Sequence, residues 1–219
     1  MSDVTIFGFE VSTFVRTVRL ACAEKGISYE LDRELVTGPA DFRKPEYLAL
    51  HPFGRIPALR HDRRTVFETV AICMYLDGKF DGPALLPDDF DARIDMVQWT
   101  SAILCYLDRH VVRELVVPYA IAGMRGEEPD RAKIDAAVPE IAFELEALER
   151  RLAGAGPYFG GDQPFLPDML LVPMLDDLET LPEGPRLLER APSVVRLLDT
   201  FKLRPSHGST LPERPRSAA

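Results

Sequence analysis

The sequence predicts a small α/β domain followed by an all-helical domain. Short β-branched and aromatic runs alternate with helix-like patterns over residues 1–80. A stretch rich in Asp, Gly and Pro covers residues 81–90, and strand patterns largely vanish from residue 91 to residue 205. These three observations predict an α+β domain with a mixed sheet in the order β-α-β-α-β-β-α, then a linker, then a domain built from helices.

The first strand and helix follow from the pattern of apolar residues. Val4–Phe7 is a β-branched and aromatic run that is typical of a buried strand. Apolar side chains then recur at helical spacing, at positions 14, 15, 18, 21 and 22. Ser12 or Thr13 is expected to cap this helix, and Gly26 suits the position just past its end. A second strand within Ser28–Leu35 would complete a β-α-β unit.

The rest of the first domain is predicted from turn signals. A loop leads to a short helix over residues 43–50. Residues 56–60 and 65–67 have the composition of two strands, and the polar residues 61–64 would join them in a hairpin. A third helix is expected to open at Thr69 and to run to about Lys79.

In the second half only helices are predicted, over residues 91–122, 129–153, 167–181, 184–190 and 193–202. Pro118 is expected to kink or end the first of these. The polar segment 206–219 is predicted to be a poorly ordered tail.

Composition and charge exclude several classes of function. The first 80 residues are charge-balanced, so the net charge of −9 lies in the second half, which argues against nucleic acid as a partner. Scattered cysteines and histidines argue against a metal site, and buried, reduced thiols are expected. No long apolar run and no signal peptide are evident, so no membrane association and a cytoplasmic location are predicted.

The stretch His51–Leu59 is the strongest candidate for a binding site. It reads H-P-F-G-R-I-P-A-L, with two prolines, a glycine and an arginine between apolar positions. If the Ile56–Pro57 bond is cis, the main chain of Ile56 would face outward unpaired and accept a short extended peptide as an added strand. The alternative is an ordinary proline-containing turn before a strand.

Three motifs occur in order along the chain. They are G-F-E-V-S-T-F-V-R at residues 8–16, H-P-F-G-R-I-P at residues 51–57, and F-E-T at residues 67–69. Together with the helical second half they resemble the cytosolic glutathione S-transferase family over nearly the whole chain. The spacing of Ser12 to Arg16 is closest to the serine-type phi and theta classes. This resemblance implies a thioredoxin-like first domain, glutathione as co-substrate, no metal, and a homodimer.

The resemblance also implies roles for single residues. Ser12 would donate a hydrogen bond to the glutathione sulfur, with Thr13 the nearest substitute. Ile56, before a cis Pro57, would pair its main chain with the cysteinyl unit. The charged ends of glutathione would be held by Glu68 (γ-glutamyl ammonium), by Thr69 (γ-glutamyl carboxylate), and by Arg43, with Lys44 and Arg55 (glycyl carboxylate).

Physical chemistry agrees with these roles, but each residue has an alternative one. The reactive species is the thiolate, and lowering a thiol pKa by two units from about 8.5 needs about 2.7 kcal/mol. A hydroxyl donor and the positive end of a helix supply energies of this size, about 1.5–3 and about 1–2 kcal/mol. Alternatively, Ser12 only caps its helix, Arg43 and Lys44 are solvated surface charges, and Glu68 is an ordinary first-turn acid.

Three positions depart from the family's usual pattern. Thr69 stands where the family usually has serine, and His51 where it usually has asparagine. Phe165 occupies the position of a Ser or Thr three residues before Asp168, so we expect weaker capping of the helix that follows, partly compensated by Pro167.

An apolar electrophile is the expected second substrate, bound between the two domains. Candidates for the wall of its site are Phe9, Val11, Phe14, Tyr106, Arg109, His110 and Arg113. Tyr106 and Arg109 are about one helical turn apart, so they are expected to share a face. Most such positions serve only the core or an interface in proteins of this kind.

The predicted activity is conjugation of glutathione to an apolar electrophile through the thiolate. Glutathione-dependent peroxide reduction or dehalogenation, which use the same thiolate, are the enzymatic alternatives. A non-catalytic glutathione- or ligand-binding module of the same fold is the alternative from another class, because fold does not determine function.

Overall fold

A computed structural model describes residues 3–35, 41–154 and 156–212 of this chain. The described residues divide into two compact units, one holding those up to Leu85 and those from Arg204 onward, the other Leu86–Leu203. The first unit has a mixed four-stranded sheet with helices, and the second is mostly helical. The predicted fold class is therefore confirmed. The division between the units falls inside the predicted linker.

The four strands of the sheet are β1 (Val4–Phe7), β2 (Glu30–Asp32), β3 (Ala58–His61) and β4 (Arg64–Phe67). Their order across the sheet is β2-β1-β3-β4, with β1 and β2 parallel and the other pairs antiparallel. β2 is shorter than predicted, since only Glu30–Asp32 pair with β1, at one edge of the sheet. The hairpin between β3 and β4 turns at Asp62 and Arg63, and Asp62 has a φ of 54°.

The described helices are α1 (Thr13–Lys25), α2 (Pro45–Leu48), α3 (Thr69–Lys79), α4 (Phe90–Ala102), α5 (Val117–Arg125), α6 (Arg131–Leu152), α7 (Leu166–Glu179), α8 (Gly184–Leu188), α9 (Pro192–Lys202) and α10 (Pro205–Thr210). A 3₁₀ turn, Asp41–Arg43, precedes α2. α2 is shorter than the predicted 43–50 because Lys44 is extended and Pro45 fixes the helix start. Residues 37–40 of the predicted loop lie outside the described residues.

The tail expected from residue 206 is instead a helix over its first part. α10 belongs to the first unit and packs against α1. Ser206, His207 and Thr210 are buried there. The prediction of disorder is wrong for these residues because polar side chains lie buried where they have hydrogen-bond partners, which composition does not reveal. Residues 213–219 of the predicted tail lie outside the described range.

The long helix that starts at Phe90 changes its hydrogen-bond register at Ile103. From Ile103 to Val116 the chain forms a π-helical segment, and at its end the Val117 N–H donates to the carbonyl of Val112, five residues earlier. Two ion pairs follow the same five-residue spacing, Arg109–Glu114 at 3.1 Å and Asp108–Arg113 at 3.2 Å.

Two expectations about this helix are wrong. Tyr106 and Arg109 are three residues apart, which is less than one turn of a helix wider than the α-helix, so the α-helical argument for a shared face does not hold. The expectation that Pro118 ends the helix is wrong, because the chain stays helical on both sides of it and continues to Arg125.

α7 begins with half of a capping box. The Asp168 carboxylate accepts hydrogen bonds from the N–H groups of Phe165, at 2.8 Å, and Phe159, at 3.0 Å. Phe165 contributes no side-chain bond in return, as its chemistry dictates, and Pro167 occupies the first turn. Asp168 is fully buried, and this burial raises its pKa to about 7 despite the N–H donors.

All three cysteines are free, but only Cys22 and Cys73 are buried. Burial raises the pKa of Cys22 to about 12 and that of Cys73 as well, so both are thiols at neutral pH. The expectation of a buried thiol is wrong for Cys105, which lies on the exposed side of the π-helical segment. In the described part of the chain, no helix is long and apolar enough to cross a bilayer, and no group of acidic, His or Cys residues is arranged to hold a metal.

Candidate functional site

The strand register brings three segments to one end of the sheet. Phe7, Ala58 and Phe67 are cross-strand neighbours at the ends of β1, β3 and β4. The chain leaves Phe7 toward α1, enters Ala58 from Ile56–Pro57, and leaves Phe67 into Glu68. The motifs that are far apart in the sequence therefore meet at one edge of the first unit.

Gly8 lies at this edge of the sheet, against the side chains of Val15 and Ile56. A Cβ built on Gly8 would lie 2.5 Å from Cγ2 of Val15 and 3.4 Å from Cβ of Ile56. No side chain other than that of glycine fits there without displacing the first turn of α1. Gly8 thus lets the side chains of Val15, at the start of α1, and Ile56 pack close to this edge of the sheet.

Ser12 is the N-cap of α1, and Thr13 is not. The Ser12 Oγ accepts a hydrogen bond of 3.4 Å from the N–H of Val15. This bond uses one lone pair of the hydroxyl and leaves its O–H free to donate. Ser12 is half-buried, whereas Thr13 is only 7% exposed, so the Ser12 hydroxyl is the more accessible of the two.

The peptide bond between Ile56 and Pro57 is cis, as predicted. Among the described residues, neither the N–H nor the C=O of Ile56 makes a main-chain hydrogen bond. The side chain of Ile56 packs against a core cluster that contains Phe7 and Ala58, so the residue is held in place from below. Its main chain is therefore available to a ligand in extended conformation.

Glu68 has a strained backbone at the start of α3. Its φ is 69° and its ψ is 125°, a combination that non-glycine residues rarely adopt. The carboxylate is 66% exposed, while the next residue, Thr69, is 6% exposed at the first position of the helix. This conformation carries a carboxylate to the surface directly beside the N-terminal N–H groups of α3.

The side chain of His51 lies next to the carboxylate of Glu68. Its ring is buried and its Nε2 lies 3.9 Å from Oε1 of Glu68. Nδ1 accepts a hydrogen bond of 3.4 Å from the N–H of Phe53, which leaves Nε2 as the protonated nitrogen of the neutral ring. Burial lowers the pKa of His51 and outweighs the opposing effect of Glu68, so the ring is neutral at pH 7. The residue in the usual asparagine position thus has a packing and a hydrogen-bonding role here.

Two of the three predicted cations on this side of the candidate site have no carboxylate partner among the residues that the structure describes. Arg43 and Arg55 are exposed, and neither forms an ion pair with any other residue that the structure describes. Lys44 differs, because its Nζ lies 2.6 Å from Oδ1 of Asp41, and this contact raises the pKa of the lysine. Lys44 is therefore less available to an anion than either arginine.

An aromatic cluster connects these cations to the rest of the site. A Cβ on Gly54, which has a φ of 57°, would lie 2.3 Å from the carbonyl oxygen of Phe42. The Phe42 ring contacts that of Tyr47 at 5.7 Å between centroids, and the Tyr47 hydroxyl donates to the Arg55 carbonyl at 2.6 Å. These contacts hold the turn before α2 against the loop that precedes β3.

Neither Gly8 nor Tyr47 was predicted from the sequence to belong to the site. Gly8 was identified only as part of a motif, and Tyr47 carries no motif signal at all. A glycine after a strand is a weak signal of close backbone approach. For a buried tyrosine the only guide is that its hydroxyl needs a partner.

The seven candidates for the electrophile site divide between the two units. Phe9 is half-buried and its ring contacts Phe42 at 6.0 Å, whereas Val11 is 68% exposed and Phe14 is half-buried. In the second unit Tyr106 is 58% exposed. The role of these residues stays a prediction.

The three polar candidates in the second unit all have partners within that unit. Arg109 and Arg113 form the ion pairs of the π-helical segment. His110 hydrogen-bonds through Nδ1 to Oε1 of Glu144 in α6 at 2.5 Å. Any role in binding an electrophile would therefore compete with these contacts.

Comparisons with known proteins agree with this geometry. Residues 11–79 match the family model "Glutathione S-transferase, N-terminal domain" and residues 100–205 match "Glutathione S-transferase, C-terminal domain". Glutathione S-transferase 4 of Zea mays is 33% identical over 167 residues, which cover 76% of this chain and 73% of that protein.

Solved structures with the same fold include glutathione transferase F7 from Populus trichocarpa. It has a TM-score of 0.84 and 26% identity, with 94% of this chain and 97% of that chain covered. A glutathione S-transferase I with lactoylglutathione bound has a TM-score of 0.85 and 25% identity, with 95% and 98% covered.

The strain at Glu68 can be tested through stability. Replacing Glu68 with glycine removes the Cβ that disfavours positive φ, so we expect the free energy of unfolding to rise by about 1 kcal/mol relative to Glu68→Ala. Glu68→Ala is the matched control, because it removes the carboxylate but keeps the Cβ. Urea denaturation followed by circular dichroism measures both. A glycine variant no more stable than the alanine variant would contradict the prediction.

Proposed function

Because this chain belongs to the cytosolic glutathione S-transferase family, we propose that its Ser12 hydroxyl activates the thiol of glutathione for attack on an apolar electrophile. The chain is a glutathione transferase, and glutathione is its co-substrate. One observation carries the assignment to Ser12. Its hydroxyl caps α1 as an acceptor and keeps its O–H to donate, at the positive end of the helix and at the same edge as Ile56.

The hydroxyl acts by stabilising the thiolate. A hydrogen bond to a charged group contributes about 1.5–3 kcal/mol, which corresponds to about one to two pKa units. The thiol proton leaves to solvent, and the sulfur electron pair forms the new S–C bond. In a substitution the leaving group departs with its bonding pair, and in an addition the product carbanion takes a proton from water. No general base is needed.

The peptide of glutathione lies extended along the open main chain of Ile56 in this proposal. The N–H and C=O of Ile56 pair with the cysteinyl unit, as an added strand does, and Pro57 fixes the entry into β3. The γ-glutamyl carboxylate then reaches the N-terminus of α3 and the Thr69 hydroxyl, and its ammonium reaches the exposed carboxylate of Glu68.

Arg43 and Arg55 hold the glycyl carboxylate in this arrangement. Both guanidinium groups are exposed and lack a carboxylate partner in the described part of the chain, and a guanidinium matches a carboxylate through its fork of N–H donors. Lys44 contributes less, since its ammonium is already paired with Asp41. Peroxide reduction and dehalogenation are not favoured by the relatives named above, which are transferases.

The enzyme forms a homodimer in this proposal. Large apolar side chains are exposed on both units. Phe53 is 66% exposed in the first, and Phe90, Ile94 and Val97 lie in the second at the spacing of one face of α4, with exposures from 38% to 72%. A second copy of the chain is the partner that covers such faces. We place the enzyme in the cytoplasm because its three cysteines are all free thiols.

Replacing Ser12 with alanine is expected to lower turnover about 10- to 100-fold at pH 6.5, because the pKa of bound glutathione rises by about one to two units. The dissociation constant for glutathione should change little. Thiolate absorbance against pH measures the pKa, and Thr13→Ala is the control that keeps the Ser12 hydroxyl. An unchanged thiol pKa in the Ser12 variant would refute the assignment.

Arg43→Gln and Lys44→Gln form a matched pair. The arginine variant is expected to raise the KM for glutathione about fivefold, since a charge-assisted hydrogen bond is lost, while the lysine variant stays within about twofold of wild type. Steady-state kinetics with γ-glutamylcysteine provide the internal control. This dipeptide lacks the glycyl carboxylate, so its KM should not respond to Arg43→Gln, and an equal response to both substrates would reject the role.

The dimer can be tested by sedimentation velocity at micromolar protein. We expect Phe53→Ser to shift the wild-type dimer toward monomer, because it removes a large exposed apolar side chain from the contact. Met124→Ser is the control, as Met124 is 80% exposed and lies in α5 near its end. A wild-type protein that sediments as a monomer would exclude the dimer.

A further inference from the structure

The C-terminal segment of the first unit is fastened to α1. α1 packs against α3 on one side and against α10 on another. The described chain returns to this unit at Arg204, so α10 reaches α1 from almost two hundred residues away in sequence. We call Arg204–Thr210 and its contacts with Arg19 and Glu24 the C-terminal clasp.

One group of contacts in the C-terminal clasp is centred on Arg19. Its guanidinium is buried, at 7% exposure, and donates through Nη1 to the Thr210 carbonyl at 3.0 Å and through Nη2 to the Ser209 carbonyl at 3.4 Å. Its Nε donates to the Tyr29 hydroxyl at 2.9 Å. Burying a cation is costly unless it has hydrogen-bond partners, and two of the three partners of Arg19 are carbonyl groups of α10. The burial of Arg19 and the position of α10 therefore stabilise each other.

The other group of contacts in the C-terminal clasp is centred on Glu24. Its carboxylate is 7% exposed and accepts a two-point contact from Arg204, at 2.8 Å to Nε and 2.6 Å to Nη2. Ser206 donates a further hydrogen bond to the same carboxylate. Burial alone would raise the pKa of Glu24, but the hydrogen bonds from Arg204 and Ser206 outweigh it and hold the pKa below its usual value.

These contacts hold the middle and the end of α1, whereas the Ser12 side chain at its start makes one hydrogen bond to the described part of the chain. The single side-chain bond of the N-cap is long, at 3.4 Å between Ser12 Oγ and the N–H of Val15. α1 is a rigid rod of 13 residues, so a rotation or shift of its middle and last turns moves its first turn as well. The side chains of Val15 and Ile56 already lie against Gly8, so the first turn of α1 cannot move closer to Gly8.

We propose that Arg19, Glu24 and Arg204 are positioning residues, and that the C-terminal clasp holds α1 at the angle that aims the Ser12 hydroxyl at the glutathione sulfur. The inference rests on the proposed function of Ser12. The clasp touches neither substrate, so it acts through α1 alone. Its loss should weaken the hydrogen bond to the thiolate more than it weakens the binding of glutathione.

The test uses the full-length protein with Arg204→Gln, Arg204→Lys and Arg190→Gln. Arg190→Gln is the matched control, because it breaks an exposed arginine–glutamate pair of 2.7 Å with Glu146 in the second unit. Two quantities are measured for each protein. One is the rate of amide hydrogen exchange in the first two turns of α1, and the other is the thiol pKa of bound glutathione.

Arg204→Gln is expected to speed exchange in α1 about fivefold. The same variant should lower the thiolate fraction of bound glutathione at pH 6.5 about threefold, with the dissociation constant within about twofold of wild type. Arg204→Lys should restore part of both effects, and the control should show neither. Exchange or thiol pKa equal to wild type in Arg204→Gln would overturn the proposal.

A milder variant and a change of pH keep the test decisive if Arg204→Gln unfolds. Ser206→Ala removes one bond of the clasp and should shift both readouts in the same direction by a smaller factor.

The pH dependence gives a second test. Because the folded pKa of Glu24 is lowered, the contribution of Glu24 to the stability of the clasp is fully present above its ordinary pKa of 4.5 and is lost as pH falls through the folded pKa. Protection of α1 should therefore drop on acidification in wild type, and less so in Glu24→Gln. Equal drops in both would count against the clasp.

The outcomes separate this proposal from the proposed function. If wild-type protein does not lower the pKa of bound glutathione, the role of Ser12 fails, while the exchange measurement still reports on the clasp. If wild type lowers that pKa and the clasp variants do so equally, the role of Ser12 stands and the clasp fails as a positioning device.

Discussion

The close packing of Val15, in the first turn of α1, and Ile56 against Gly8 is the constraint on which the candidate site depends. It exists because Gly8 has no Cβ, and any Cβ there would lie 2.5 Å from Val15. The same contact joins the end of β1, the cap of α1 and the open edge before β3. The Ser12 hydroxyl and the start of α1, which are neighbours in sequence, are thereby brought to the unpaired strand edge at Ile56, more than forty residues further along the chain. In the proposed function a thiol on an extended peptide meets all three.

The charged side chains at this edge form two groups, one at the start of α3 and the other in the segments that precede α2 and β3. At α3 a strained backbone turns Glu68 outward while Thr69 stays buried, so an exposed carboxylate lies beside the positive end of a helix. That pairing suits a group that carries both an ammonium and a carboxylate. On the other side the exposed arginines are kept in place by the aromatic contacts of Phe42 and Tyr47, which hold their backbone and leave their guanidinium groups to the solvent.

Much of this was predictable because the signals are local. The motif around Ile56–Pro57, the cap at Ser12 and the helix start at Thr69 each follow from a few neighbouring residues. The predictions failed where distant residues decide the outcome. The end of the chain was expected to be disordered, yet Arg19 and Glu24 provide partners that order it. The helix through Tyr106 was expected to be regular, yet a shift to five-residue spacing changes which side chains are neighbours.

The sequence by itself determined the family, through its three motifs, and the order of most elements in the first domain, because capping, periodicity and proline chemistry act over a few residues. It also named the residue types of the candidate site. Tertiary structure alone decided that Val15 and Ile56 pack against Gly8, that Glu68 takes a positive φ, that Lys44 is paired with Asp41, and that the C-terminal segment contacts α1. Each of these depends on contacts between segments that meet only once the chain has folded, and such contacts leave no periodic trace in the sequence.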